Sequence, residues 1–291
     1  MSFKIKGALA LVIFLWASAF VGIRAGLQDY SPEGLALLRY IIASICMGFF
    51  YYRLPQRSVM SIYDIVALLG VGAFGIGVYN LTLNYGELSI SSGTASFIIS
   101  QSPVLTAILA LFFLGERLNV SRVIGFIISI MGVALIAIGE KGGFEWDMGI
   151  FYILIATLAG SCYSVMQKPF LKKYHAIETT TYVIWGGTLF LALYAPNLQH
   201  DLLKASFNTT LTVVYLGIFP AAVGYVAWSY ILSQIPASRA VSFLYFTPIL
   251  ATTLGWLWLD ESPVWLTITG GLVAIIGVWL VNQSYRLQVA K

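Results

Sequence analysis

The sequence predicts an all-α membrane protein: ten transmembrane helices arranged as two inverted five-helix repeats, with the N- and C-termini cytoplasmic. Three observations lead there. Hydrophobic residues make up 59% of the 291 residues and charged residues only 10%, against roughly a quarter charged in a soluble domain. Ten apolar runs come near the about 20 residues that a helix needs to cross the hydrocarbon. Finally, residues 72–136 repeat as 217–281 at one unbroken offset of 145. The offset pairs Gly72 with Gly217, Phe74 with Phe219, Tyr85 with Tyr230, Pro103 with Pro248, Glu116 with Glu261, Gly125 with Gly270 and Gly132-Val133 with Gly277-Val278.

The first predicted span, 7–26, follows Lys4 and Lys6 and carries Trp16, Ser18 and Phe20. Its start also fits a cleavable leader ending at Ala17-Ser18-Ala19, but the apolar run continues through Phe20 to Ile23, and cleavage would break the repeat. The second span, 33–53, follows Pro32 and encloses Arg39, which is expected to reach the interface or to pair with Glu33 or Glu87. The third, 62–84, is marked by Gly70, Gly72, Gly75 and Gly77, small residues that let helices approach closely, and adds Tyr79, Asn80, Thr82 and Asn84. The fourth, 91–114, has Pro103 at its middle, and the fifth, 120–139, has Gly125 and Gly132. The second set runs 148–168 with Tyr163, Ser164 and Gln167, then 177–196, 209–232 with Tyr225 and Trp228, 237–259 with Pro248, and 264–284. The connections are short and leave no room for a soluble catalytic domain. The repeats therefore divide the chain into 1–143 and 144–291.

Charge sets the orientation. With a cytoplasmic N-terminus, that side receives Lys4, Lys6, Arg53, Arg57, Arg117, Arg122, Lys168, Lys172, Lys173, Arg239, Arg286 and Lys291, against Arg24, Lys141 and Lys204 opposite. This is a positive-inside bias. Acids such as Glu87, Glu145, Asp201 and Glu261 collect on the other side. An odd number of spans per repeat then forces the second copy to enter the membrane upside down. Such repeats are the signature of a carrier whose binding site lies between the copies and opens to one side at a time.

Pro103 and Pro248 are expected to gate, because a proline at mid-span removes a helix hydrogen bond and permits a bend. The expected substrate site gathers Trp16, Tyr79, Asn80, Ser100, Gln101, Tyr163, Tyr225 and Tyr245. Aromatic faces with amides and hydroxyls suit neutral, zwitterionic or flat cationic solutes of amino-acid size. Packing competes as an explanation, since polar groups also bond helix to helix, and Trp228 and Tyr230 fit an interfacial aromatic belt.

Other classes fare worse. The only histidines, His175 and His200, fall in predicted loops; no nucleophile has a base beside it, and Cys46 and Cys162 match no metal-ligand spacing. No enzyme activity, metal or cofactor is expected. The net charge of +4 is scattered at helix ends rather than clustered for nucleic acid. A channel remains a rival of different class. The partners expected are a small-molecule substrate and membrane lipid, with the chain as a monomer. No acid sits at a span centre, so gradient-driven flux or exchange is the simpler mode.

Leu15-Trp16-Ala17-Ser18-Ala19-Phe20, Pro32 before Leu38-Arg39-Tyr40, Pro103 before Phe113-Leu114-Gly115-Glu116-Arg117-Leu118, and Gly125 with Gly132-Val133 form an ordered set in the first half. Pro248 before Leu259-Asp260-Glu261, Gly270-Gly271 and Gly277-Val278 answer it in the second. Together they resemble the EamA branch of the drug/metabolite transporter superfamily over nearly the whole chain. The resemblance implies a ten-helix carrier moving small metabolites, often amino acids and aromatic ones among them, outward across a bacterial inner membrane. Flippases and nucleotide-sugar-type carriers share that fold. Gly86-Glu87-Leu88 departs from the family pattern, which more often has a small apolar residue there, and places an acid at the outer mouth.

Overall fold

The computed structural model describes residues 2–114, 120–141, 147–235 and 237–289. Glu116, the rest of the Gly115–Leu118 stretch, Glu145 and Lys291 lie outside the described residues. Among the described residues every regular element is helical. In order these are α1 (Phe3–Gly26) and α2 (Pro32–Tyr52), α3 (Ile62–Gly86), α4 (Ser92–Ile99) and α5 (Ser102–Leu114), and α6 (Val120–Lys141). The second half continues with α7 (Met148–Leu171), α8 (Ala176–Leu202) and α9 (Phe207–Gln234). It ends with α10 (Ala237–Val241), a 3-10 turn over Ser242–Phe246, α11 (Thr247–Leu259) and α12 (Trp265–Val289). Six of them, α1, α2, α3, α7, α8 and α9, are long and apolar enough to cross a membrane, and shorter apolar helices accompany them.

Serine starts many of these helices. Ser31, Ser61, Ser91 and Ser206 each hold extended backbone and accept a hydrogen bond from an N–H of the first turn, as at Gly34 N to Ser31 Oγ, 3.1 Å. The perimeter is apolar, unlike that of a soluble protein, and polar groups lie inside among the hydrophobic core. Phe49, Ile130, Leu189, Trp256 and Trp258 are exposed around the outside, as a bilayer-facing surface requires, while Asn80, Asn84, Ser161, Thr179 and Thr180 are buried within.

Helices matched by the sequence repeat pack antiparallel. Where α6 meets α12, Gly132 faces Ala274, Ser129 faces Gly277 and Ile136 faces Gly270, so position rises along one helix as it falls along the other. Adding 145 to Gly132 gives Gly277, and subtracting 145 from Ala274 gives Ser129. The first two contacts are thus exchanged by the repeat operation itself. A methyl at Gly277 would lie 2.5 Å from Ser129 N, so these backbones touch because side chains are absent. The same sense holds for α2 against α8. Ser44 Oγ meets Thr188 Oγ1 at 2.7 Å and Tyr51 meets Tyr182 at 3.4 Å. At one end of α2, Ser31 donates through N and Oγ to Asp201 (2.9 and 2.6 Å), and beyond the other end Ser58 donates to Glu178 (2.6 and 3.0 Å).

Two irregularities also recur at the repeat offset. Ala73–Val78 within α3 and Gly217–Val223 within α9 are π-helical, and π turns tend to mark functional sites. The helix expected as one piece over 91–114 is two, α4 and α5, parted at Ser100-Gln101; its counterpart is parted by the 3-10 turn Ser242–Phe246. This corrects the expected bond loss at the prolines. Pro103 and Pro248 are each the second residue of a new helix, where the N–H has no partner to lose.

Candidate functional site

Both halves wall a cleft of about 800 Å³ of empty space, counting its opening to solvent. Trp16 and Phe20 come from α1, Arg39 from α2, Tyr79 from α3, Ser96 from α4 and Ser100 from the parting that follows it. From the second half come Tyr163 and Ser164 of α7, Tyr225 and Trp228 of α9, and Leu244 and Thr247 around the second helix break. The π turn in α3 brings Gly75 against Tyr163. Trp16 is fixed by a 3.3 Å hydrogen bond from Nε1 to the carbonyl of Pro220, a residue inside the other π turn. Its ring is 5.4 Å from that of Tyr225 and 5.2 Å from that of Trp228, and Tyr163 is 5.7 Å from Tyr225. These are tilted contacts of a favourable kind.

Of the residues expected in the site, Trp16, Tyr79, Ser100, Tyr163 and Tyr225 line this cavity. Asn80, Gln101 and Tyr245 do not. Asn80 is buried and donates at 2.8 Å both to Tyr40 Oη and to the Ile76 carbonyl. Gln101 accepts from Ser129 and donates to the Phe97 carbonyl at 3.3 Å, so it joins the helix break to α6. Tyr245 is half-buried within the 3-10 turn. Pro103 and Pro248 are buried beside the breaks. Trp228 and Arg39 also join the wall. Trp228 is 1% exposed rather than in an interfacial belt, and Arg39 neither reaches the surface nor pairs with an acid: its Nη1 donates to Asn80 Oδ1 at 3.0 Å.

A second cleft, about 750 Å³ of empty space counting its opening to solvent, adjoins one end of the first. Neighbouring residues divide the two: Ile23 and Ser96 face the first, Arg24 and Phe97 the second. Here the Arg24 guanidinium donates to the Glu87 carbonyl and lies 3.5 Å from Glu261, whose Oε2 also accepts from Ser92 N at 3.1 Å and Ser92 Oγ at 2.5 Å. Asp260 holds a left-handed backbone, φ 54°, at the end of α11, turning Glu261 back toward α4. Glu87 is fully buried with neither carboxylate oxygen hydrogen-bonded. This charged cluster lies beside the boundary between the two cavities.

The sequence profile of the EamA-like transporter family matches residues 5–138 and again residues 147–283. The chain belongs to the EamA-like transporter family. The uncharacterised transporter YdfC of Bacillus subtilis (strain 168) is 41% identical over 92% of this chain and 88% of its own. A Streptantibioticus cattleyicolor protein named "Probable terminal-alkyne amino-acid exporter" is 34% identical over 96% of this chain and 94% of its own. One solved crystal structure, 18% identical, superposes with a TM-score of 0.69 over 99% of both chains and shows the same fold. As an EamA-like protein the chain is a multi-pass transporter of the bacterial inner membrane and not an enzyme.

Proposed function

We propose that this EamA-like protein is a ten-helix secondary transporter, built from inverted repeats 1–143 and 144–291 with both termini cytoplasmic, that moves amino acids or related aromatic compounds outward by alternating access. The observation that carries this reading is a cavity between the two halves, walled by aromatic side chains from both. The antiparallel packing of α6 on α12 and α2 on α8 supports the inversion, as do the matched π turns and helix breaks. Trp16, Tyr79, Tyr163 and Tyr225 are the proposed contacts for an apolar or aromatic side chain. Ser100 supplies a hydroxyl beside the first break. Pro103 and Pro248 each start a half-helix next to the cavity, and the joints before them are the proposed gates. The amino-acid class draws support from the printed name of the Streptantibioticus relative.

The test is transport by purified protein in liposomes. Labelled phenylalanine or tryptophan should enter saturably, and faster when the same unlabelled amino acid is trapped inside. Flux that rises without limit would indicate a channel, and no uptake of any amino acid would remove the substrate class.

A further inference from the structure

Arg39 is the one Lys or Arg in the wall of the main cavity, and no Asp or Glu lines that cavity among the described residues. The side chain is 3% exposed. A guanidinium taken this far from water ordinarily needs a counter-ion, because desolvating an unpaired charge is costly. Here its partner is neutral. Asn80 Oδ1 accepts from Nη1 at 3.0 Å, and Asn80 is itself pinned by Tyr40 and the Ile76 carbonyl. Nε is buried with no acceptor at all. Glu87 feels the Arg39 charge but makes no hydrogen bond to it. The guanidinium is therefore held in place, and left without a neutralising anion.

Four serines of the wall offer the opposite polarity. Ser96, Ser100, Ser102 and Ser164 each spend the hydroxyl proton on a backbone carbonyl three or four residues earlier, at 2.6, 2.6, 2.5 and 3.0 Å. Toward a solute these oxygens are acceptors, suited to an ammonium, and the aromatic faces add cation–π attraction. A planar two-oxygen anion matches the fork of a guanidinium.

We propose that Arg39 is the carboxylate anchor of the transported solute, so that the cavity selects apolar or aromatic solutes carrying a carboxylate and rejects the corresponding amines and amides. This rests on the transport reading and narrows it, setting aside purely cationic solutes. Asn80 becomes the positioning residue for the anchor.

The test uses full-length protein in nanodiscs, titrated with phenylalanine, 3-phenylpropionate, phenylalaninamide and phenethylamine. In the unaltered protein the two carboxylates should bind roughly tenfold or more tighter than the amide and the amine, the scale of a charged hydrogen bond in a buried site. Arg39→Met should erase that preference, and Arg39→Lys should keep part of it. Where Arg39→Met fails to insert, Asn80→Asp serves instead: it supplies an internal counter-charge and should weaken carboxylate binding while sparing phenethylamine. Equal binding of all four probes, or a preference that survives Arg39→Met or Asn80→Asp, overturns the proposal. Phenethylamine and the amide binding without either carboxylate overturns the anchor alone and leaves aromatic transport standing. Binding of none of the four overturns the anchor together with the aromatic substrate class.

Discussion

Arg24 Nε on α1 lies 3.5 Å from Glu261 Oε1, beyond the end of α11. The contact joins the first half of the chain to the second beside the boundary between the two cavities, with the same guanidinium donating to the Glu87 carbonyl. Partly exposed ion pairs are worth about 1 kcal/mol or less, so this latch is strong enough to bias two conformations and weak enough to open. Arg24→Ala should therefore raise amide hydrogen exchange over residues 86–92, while the central segment of α6 stays unchanged. Exchange that does not move would remove the latch from the mechanism.

Glu87 makes the same end pH-sensitive. Burial pushes its carboxyl well above the usual carboxylate range; Glu261 nearby pushes the same way, and Arg24 and Arg39 oppose them. A raised value means the closed form holds a proton that an opened, hydrated form releases. Closure is thus fully favoured below the usual carboxylate range and weakens as pH climbs through the raised value. Protection over 86–92, corrected for the intrinsic base-catalysed exchange rate, should fall as pH climbs above the usual carboxylate range, and Glu87→Gln should flatten that dependence. A profile identical in both proteins would contradict this role.

The crossing of α6 and α12 gives a packing test. A side chain on Gly132 would overlap the Ala274 backbone, whereas one on Gly7 meets nothing within 4 Å. Gly132→Leu should lower the thermal midpoint in detergent, with overpacking costing about 1–3 kcal/mol or more, and Gly7→Leu should leave it in place. Equal midpoints would mean that the two helices do not touch there.

Pro103 and Pro248 begin half-helices, so alanine is tolerated at either position without loss of a backbone bond. Pro103→Ala and Pro248→Ala should insert normally and slow uptake, by letting each break anneal into continuous helix. Unchanged rates in both variants would remove the gating proposal.

Much of this was legible in sequence because it is periodic. The offset that pairs Gly132 with Gly277 anticipates which helices cross, and the aromatic residues Trp16, Tyr79, Tyr163 and Tyr225 reach the cavity as their spans implied. The parting at Ser100-Gln101 was hidden, since an apolar run looks the same whether one helix or two half-helices carry it. Asn80 and Gln101 were assigned to solute although their amides hold Arg39 and Ser129. Polarity at depth shows that a group faces the protein, not which partner it finds. For Arg39 the sequence offers the interface or an acid, Glu33 or Glu87, because only the folded neighbourhood reveals that its partner is an amide.

The central claim is a cavity shared by the two halves that opens to one side at a time, and sided labelling of Ser100→Cys tests it most directly. With Cys46 and Cys162 replaced, a membrane-impermeant thiol reagent is applied to vesicles of known orientation. Labelling from the face bearing Arg24 should be slow, should speed up in Arg24→Ala, and should then fall from the opposite face. Rates that rise from both faces together, or a cysteine that reacts from neither, would contradict the account.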